Sequence, residues 1–542
     1  MSLPSPGNVS MQKAEIPAYV RGSTYSSLIL VSPLTALVLY IFKRNLDTKR
    51  TESLFQQSHR CGSPRPLRYK WPLALDIVAE AFRMFEDKQI LQWFVRVFTE
   101  TGPTFEKTIL GSKSIDTIEP ENIESILSTN FSAYGLGDRR GVFAPLLGDG
   151  IFTQESAQWK HSRDMLRPLF SLNRTNIFTQ VEEHTEHLVS CIPADRFVDL
   201  QALFFQFTFD TTTFLLFGKS MNSLQAKSTQ DATGAREAEF AEAFRRSQDY
   251  LFRRGRRGPL YWTVDSKEFR RHCAIVHKFI DEAVHEALAV THEKKGKPAE
   301  VHSFLDALIK ETRDPRVLRD QLLNVMLAGR DTTACCLTWT FRLLAQHPDV
   351  LAKLRQEIAS TVGVGKDSTL PNRNTLKRMK YLNLVLKEVL RLYPSVPINS
   401  RTALRTTTIP RGGGSDGLAP LMVRKGEAVG FSIHAMHRLK RLYGDDADSF
   451  RPERWDPDNV EENAVDLRNI GWGYLPFSGG PRLCLGKEFA LLEAGYVTVR
   501  IVQKFRTLEL DPRDSGIAMG TEKQEVTLVL ASQDGCRVKA TE

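Results

Sequence analysis

Phe477–Ala490 reads FSGGPRLCLGKEFA and sets one cysteine, Cys484, between a Gly-Gly-Pro turn and the start of an apolar helix. Gly479, Gly480 and Pro481 precede the sulfur, and Leu485 and Gly486 follow it. Glycine lets a backbone turn approach a flat ligand closely, and the unpaired amides at a helix start favour a thiolate. Arg482, two residues before the sulfur, can offer forked donors to a carboxylate. The stretch therefore describes a loop able to hold one thiolate beneath a planar, carboxylate-bearing group. Cys484 by itself also fits an inert buried cysteine. It does not fit zinc, because no second ligand stands at zinc-finger spacing and Cys335 and Cys336 are remote in sequence.

Outward from this loop the pattern is mostly helical. Leu485–Lys504 and Val198–Phe217 are apolar helices, the second buried on most sides. Ala235–Phe252 and Lys267–Ala289 are amphipathic helices joined by a loop, Arg253–Trp262 (RRGRRGPLYW). Val317–Gln346 is one long helix starting after Pro315. Lys107–Ile118 alternates like a strand pair, and Thr408–Val429 is Gly-rich with extended pieces. The expected fold is mainly α with a small β part, one domain over 75–542, with no internal repeat and one N-terminal transmembrane helix ahead of it.

That helix is Tyr25–Phe42, 18 residues without a charge, about 27 Å long at the helical rise and enough for a thin bilayer. Lys43, Arg44, Lys49 and Arg50 follow it, against Lys13 and Arg21 before it. The positive-inside bias then leaves 1–24 in a lumen and the long C-terminal part in the cytosol. Asn8-Val9-Ser10 would be a glycosylation acceptor on the lumenal side. Residues 43–74 read as a linker, stiffened by the Pro- and Arg-containing Ser63–Pro72. Seven cysteines in 542 residues exclude a disulfide scaffold, and 42% hydrophobic with 25% charged residues excludes wholesale disorder. The net charge of +9 suits an anionic surface or an acidic partner protein and is too small to imply nucleic acid.

Four further patterns occur. Glu388 and Arg391 form Glu-x-x-Arg on the helix Tyr381–Leu392, one helical face apart, and Arg454 lies in FRPERW. Trp159 and Arg163 form Trp-x-x-x-Arg (WKHSR). Ala328–Thr333 reads AGRDTT inside the long helix: small Ala328 and Gly329 let a ligand press against it, Thr332 lies on the same side, and Asp331 can carry protons. A mid-helix threonine hydroxyl can also leave the ladder and widen the helix. Arg330, two residues from Thr332, points away from it by helical phase and is expected to pair outward. His184 and His187 beside Glu183 and Glu186, and likewise His434 and His437, read as solvated faces rather than metal sites.

With Phe477, Gly480, Arg482, Cys484 and Gly486 matching Phe-x-x-Gly-x-Arg-x-Cys-x-Gly, the sequence resembles the cytochrome P-450 superfamily of haem-thiolate monooxygenases. That resemblance implies haem b with its iron on the Cys484 thiolate, and cofactor contacts from Trp159, Arg163, Arg401, Phe477, Gly480, Arg482 and Gly486. It implies a structural triad of Glu388, Arg391 and Arg454, with Trp455 where the family more often has Phe. Asp331 and Thr332 would be catalytic, and Ala328, Val396, Ile398 and Met519, the last with Ile517 and Ala518, would line the substrate pocket. The absence of a flavin- or nicotinamide-binding unit implies a separate NADPH-cytochrome P-450 reductase, received near Lys160, Arg167 and Lys487. The chain would be a single-pass protein of the endoplasmic reticulum membrane, with Arg253–Trp262 against the bilayer.

Pro145–Pro168, Val198–Gly218, AGRDTT and Arg391–Ala403 resemble one fungal branch, the membrane-bound alkane and fatty-acid hydroxylases. The substrate implied is a long-chain n-alkane or fatty acid, oxidised at or near the chain end. A sterol, secondary metabolite or aromatic xenobiotic, a haem-thiolate isomerase or dehydratase, and a non-enzymatic haem sensor are the competing readings.

Overall fold

Thr208 and Thr213 show how a stretch that mixes phenylalanines with threonines becomes a buried helix: each hydroxyl donates to the carbonyl four residues back, at 2.9 Å, so neither is left unpaired in the core. The computed structural model describes residues 19–170, 174–225, 232–293, 303–458 and 465–542, in two compact units, Met1–Cys61 and Gly62–Glu542. The helices that matter here are α1 (Tyr19–Ser58), α2 (Arg139–Leu147), α3 (Ser156–Leu166), α4 (Leu200–Phe217), α5 (Ala232–Arg256), α6 (Lys267–Glu293), α7 (Pro315–Gln346), α8 (Lys380–Leu392) and α9 (Lys487–Lys504). α7, 32 residues long, is the spine. Pro315 opens it, and Asp314 caps it by accepting from the amides of Arg316 at 2.9 Å and Val317 at 3.4 Å.

Five strands form the largest sheet: β1 (Thr104–Ile109), β2 (Ser112–Thr117), β3 (Tyr134–Gly135), β4 (Ile398–Ala403) and β5 (Ala428–Ser432), in the order β1-β2-β5-β4-β3. The strand pair expected over Lys107–Ile118 is β1 and β2, antiparallel with Thr104 opposite Thr117. β4 runs antiparallel to β5 with Arg401 opposite Val429. The mainly helical architecture with a small sheet part is as expected. Trp339 of α7 stacks on Tyr393 at the end of α8, centroids 3.9 Å apart, in the main core.

Three expectations change. The helix expected over Tyr25–Phe42 lies inside α1, which continues to Ser58 and takes up the first part of the expected linker. The glycosylation acceptor at Asn8 lies outside the described residues, as do the side chains of 19–34. Leu37–Phe42 are exposed. Among the described residues, no helix is long and apolar enough to cross a membrane. The stretch Ser63–Pro72 is no free spacer: Pro64 bridges Gly413, Pro66 bridges Glu106 and the Leu67 amide donates to Glu106 at 2.8 Å. Proline holds a chain extended, which suits pairing along a sheet edge.

Arg253–Trp262 is not a loop from its first residue, because α5 runs on to Arg256 and Gly258–Val264 forms a 3₁₀ turn. The arginines are good helix formers and carry the helix across Gly255, whereas at Gly258 the φ of +51° turns the chain out of it. Arg254 is buried, donating to the carbonyls of Val142 at 3.0 Å and Gly141 at 2.8 Å. Arg256 lies 3.4 Å over the Phe85 ring. Arg253, Arg256, Arg257, Leu260 and Trp262 are exposed and Arg254 is not, so three of the four arginines are free to meet a surface.

Candidate haem-thiolate site

The cysteine loop is shaped by one glycine. Gly480 has φ +62°, and a Cβ there would sit 2.0 Å from the Leu127 carbonyl oxygen and 3.2 Å from Ser128 Cα. The loop closes with the Leu483 amide on Gly480 O and the Cys484 amide on Phe477 O, both at 3.0 Å. Burial raises the thiol of Cys484, opposed by the backbone amides of Gly486 and Lys487 at the start of α9 and by the Arg163 charge. The residue is nonetheless exposed by surface area. The two observations agree for a sulfur on the wall of a cleft. Coordination by a metal deprotonates such a thiol outright.

Above the loop four arginines converge from separate elements: Arg139 on α2, Arg163 on α3, Arg401 on β4 and Arg482 in the loop. Arg482 donates to Ile151 O at 3.1 Å and Gln154 O at 3.0 Å, and lies 4.5 Å over the buried Trp159 ring. Arg163 stands 5.9 Å over the same ring. Arg401 donates to Ser400 O at 2.7 Å and Asn399 Oδ1 at 3.0 Å, and Arg139 shares that Asn399 oxygen at 2.7 Å. Burial, then the neighbouring Arg139, pushes the Arg482 guanidinium down to about 10; burial also takes Arg139 to about 10, and burial with Arg139 and Arg482 takes Arg401 well below its usual range. Glu155, bonded to the Leu136 amide, is the carboxylate that acts on Arg139, Arg401 and Arg482 alike. The buried Arg401 Nε has no partner. A cation cluster with an orphaned donor fits a ligand that brings carboxylates, and the loop beside it offers one sulfur. The residues present fit haem.

On α7 the Thr332 hydroxyl donates to Ala328 O at 2.8 Å, and Ser395 Oγ donates to Thr332 O at 3.0 Å. The hydroxyl therefore bonds within an unbroken helix instead of widening it. The Ser395 bond brings the run Pro394–Arg401 against α7, and in that run Val396 and Ile398 are exposed. Ala328 is half-buried, and Met519 packs on the core that also holds α7. Gly329 serves another purpose than ligand access: a Cβ there would lie 2.9 Å from Thr212 Oγ1 of α4, so its size lets two helices approach. Asp331 is buried, with Oδ2 accepting from Gln248 Nε2 of α5 at 2.6 Å. Arg330 does not pair outward but lies mostly buried between helices, 11% exposed and 5.3 Å over the Phe209 ring.

Glu388 lies at the centre of the triad. Its two oxygens accept from Arg391 Nε and Nη2, Arg454 Nε and the Trp455 indole, all at 2.8 Å, and from the Arg451 amide at 3.0 Å. Burial opposes its charge, but Arg391 and Arg454 outweigh burial and lower the carboxyl. A phenylalanine at 455 could not make the indole bond. His437 is buried rather than solvated: it pairs with Arg391 O and accepts from the Leu475 amide, both at 2.9 Å, tying the triad to the stem of the cysteine loop. Burial takes its imidazole down to about 3, so the ring is neutral. His434 and His184 are buried too. Among the described residues no group of His, Cys, Asp and Glu is arranged to hold a metal ion.

Four residues were not legible beforehand. Arg139 reads as a surface charge, Glu155 as an ordinary acid before a helix, and Gln248 carries no charge at all. Glu493 did leave a signal, an acid inside the apolar α9. It is buried, accepts from Thr211 Oγ1 at 2.7 Å, and is pushed up to about 7 by burial.

A mainly helical fold, one sulfur on a glycine turn and a converging arginine cluster, one of whose members acts on that sulfur, are the parts that a haem-thiolate protein requires. The cytochrome P450 family model matches residues 70–531. A cytochrome P450 of Arthroderma benhamiae is 50% identical over 94% of this chain and 98% of its own. Cytochrome P450 52A5 of Candida maltosa is 49% identical over 76% of this chain and 78% of its own, and cytochrome P450 52A1 of Candida tropicalis 45% over 80% and 79%. The crystal structure of a cytochrome P450DA heme domain shares the fold, with TM-score 0.71 and 21% identity over 89% of this chain and 98% of that one. The chain belongs to the cytochrome P450 family. It is a monooxygenase whose cofactor is haem iron on a cysteine thiolate.

Proposed function

We propose that this monooxygenase hydroxylates long-chain n-alkanes or fatty acids at or near the chain end. What carries the reading is the segment-by-segment likeness to the fungal alkane and fatty-acid hydroxylases, supported by 45–50% identity to fungal relatives. The bound haem would supply oxygen activation, favoured by electron donation from the Cys484 sulfur. The chain's own residues do the rest. Arg163, Arg401, Arg482 and Trp159, with Arg139, seat the propionates. Asp331 moves protons toward the Thr332 side of α7, and Val396, Ile398, Ala328 and Met519 give an apolar, water-excluding wall.

Electrons come from NADPH through a separate reductase, received near Lys160, Arg167 and Lys487. The chain sits on the endoplasmic reticulum membrane by Tyr25–Phe42, with its catalytic unit in the cytosol. Exposed Trp71, Leu73, Leu260 and Trp262 support a second contact with the bilayer. With reductase and NADPH, a panel of alkanes, fatty acids, sterols and aromatics should yield aliphatic products hydroxylated at or beside the terminal carbon, read by mass spectrometry. Turnover confined to sterols or aromatics would contradict the assignment.

A further inference from the structure

AGRDTT carries a guanidinium next to its acid, and the surroundings of that pair are unusually specific. Gln248, buried on α5, reaches both members: its Nε2 donates to Asp331 Oδ2 at 2.6 Å and its Oε1 accepts from Arg330 Nη1 at 3.2 Å. The polarity admits only this orientation of the amide, since a guanidinium only donates and a carboxylate only accepts. Arg330 is pinned from the other side by the rings of Phe209 at 5.3 Å and Phe205 at 5.9 Å on α4. Its Nη1 stands 3.6 Å from Asp331 Oδ1, too far for a hydrogen bond but close enough for charge to act. Asp331 Oδ1 is itself buried with no hydrogen-bond partner.

We propose that Gln248 and Arg330 are positioning residues for proton delivery: Gln248 holds Asp331 Oδ2 as a fixed acceptor, and Arg330 sets its charge beside Oδ1, leaving Oδ1 as the atom through which protons pass. A proton is taken up on Oδ1 and released from Oδ1, while Oδ2 keeps its partner and no other bond changes. Were Oδ2 to take the proton, its O–H would face the NH₂ of Gln248, whose oxygen is already held by Arg330, and a donor would oppose a donor. Among the described residues, the groups facing Asp331 come from three helices. α5 contributes Gln248, α7 contributes Arg330 and the Cys335 thiol, and α4 contributes the two phenyl rings over Arg330. Burial raises the Asp331 carboxyl, and Arg330 is the largest influence pulling it back. Without that cation the acid would hold its proton to higher pH. The inference rests on the role proposed above for Asp331.

The test uses the full-length chain with reductase and compares R330Q, R330K, Q248L and D331N, each first checked for the reduced carbon-monoxide spectrum of folded holoprotein. D331N should slow turnover about 100-fold, the lower range for loss of a positioned acid. R330Q should move the midpoint that Asp331 sets in the pH–turnover profile upward by about one unit, as expected for loss of an opposite charge at this distance, and R330K should restore it. Q248L should divert a larger share of NADPH electrons to peroxide. A readout independent of turnover is the infrared carboxyl band that D331N removes, whose titration midpoint should rise in R330Q. Unchanged midpoints in R330Q and unchanged coupling in Q248L, with D331N impaired, overturn the clamp and leave proton delivery by Asp331 standing. Wild-type turnover in D331N overturns both.

Discussion

Replacing Glu388 by alanine should leave almost no folded protein. The carboxylate is fully buried and answers four side-chain donors, those of Arg391, Arg454 and the Trp455 indole, besides the Arg451 amide. Its removal strands the Arg391 guanidinium in a low-dielectric interior and leaves Arg454 with Asp446 as its remaining carboxylate. Breaking a buried ion pair from one side costs about 3–5 kcal/mol, a large share of the roughly 5–15 kcal/mol that holds a typical domain folded. The loss is not local, because Arg391 also donates to the carbonyls of His437 at 2.8 Å and Ala447 at 2.5 Å, and His437 in turn holds the Leu475 amide ahead of the cysteine loop. Glu388→Gln keeps acceptor capacity on one atom and should fall between the two. Soluble yield and thermal unfolding followed by circular dichroism report the effect. A melting temperature equal to that of the unaltered protein would refute the argument.

Gly480→Ala should act differently, sparing the fold and disabling the site. A Cβ at 480 meets backbone, the Leu127 carbonyl at 2.0 Å, and neither side of that contact is a flexible side-chain end. The φ of +62° adds strain for any residue with a Cβ. The loop must shift, and it carries Cys484 four residues on. Misplacing a reacting centre by about 1 Å costs on the order of 100-fold in rate. Turnover should fall by about that factor while the far-ultraviolet helical signal stays unchanged. Full turnover in the variant would show that the glycine is not what shapes the loop.

The sequence was most legible where chemistry is tied to short spacing. Cys484, Arg482 and Gly480 lie within five positions, and Glu388 and Arg391 lie on one helical face. Period and breakers also placed the spine: Pro315 opens α7 two residues ahead of the expected start, and the helix ends at Gln346 as expected. What stayed hidden depends on partners remote in sequence. Gly329 looks like room for a ligand until Thr212 is seen against it. Arg254 looks like a surface charge until Gly141 and Val142 offer it their carbonyls. Arg139 and Gln248 matter only because α2 and α5 deliver them to the arginine cluster and to Asp331. His437 read as solvated because two histidines three apart carry no sign of the buried acceptor and donor that enclose one of them.

Coordination of iron by the Cys484 sulfur is the claim on which the site, the cofactor and the chemistry depend. Carbon monoxide binding to the dithionite-reduced protein reads that ligand directly. A strongly red-shifted Soret band in the native chain, lost in Cys484→Ala, is the predicted result. A native spectrum without that shift, or the same shifted band in Cys484→Ala, would contradict it.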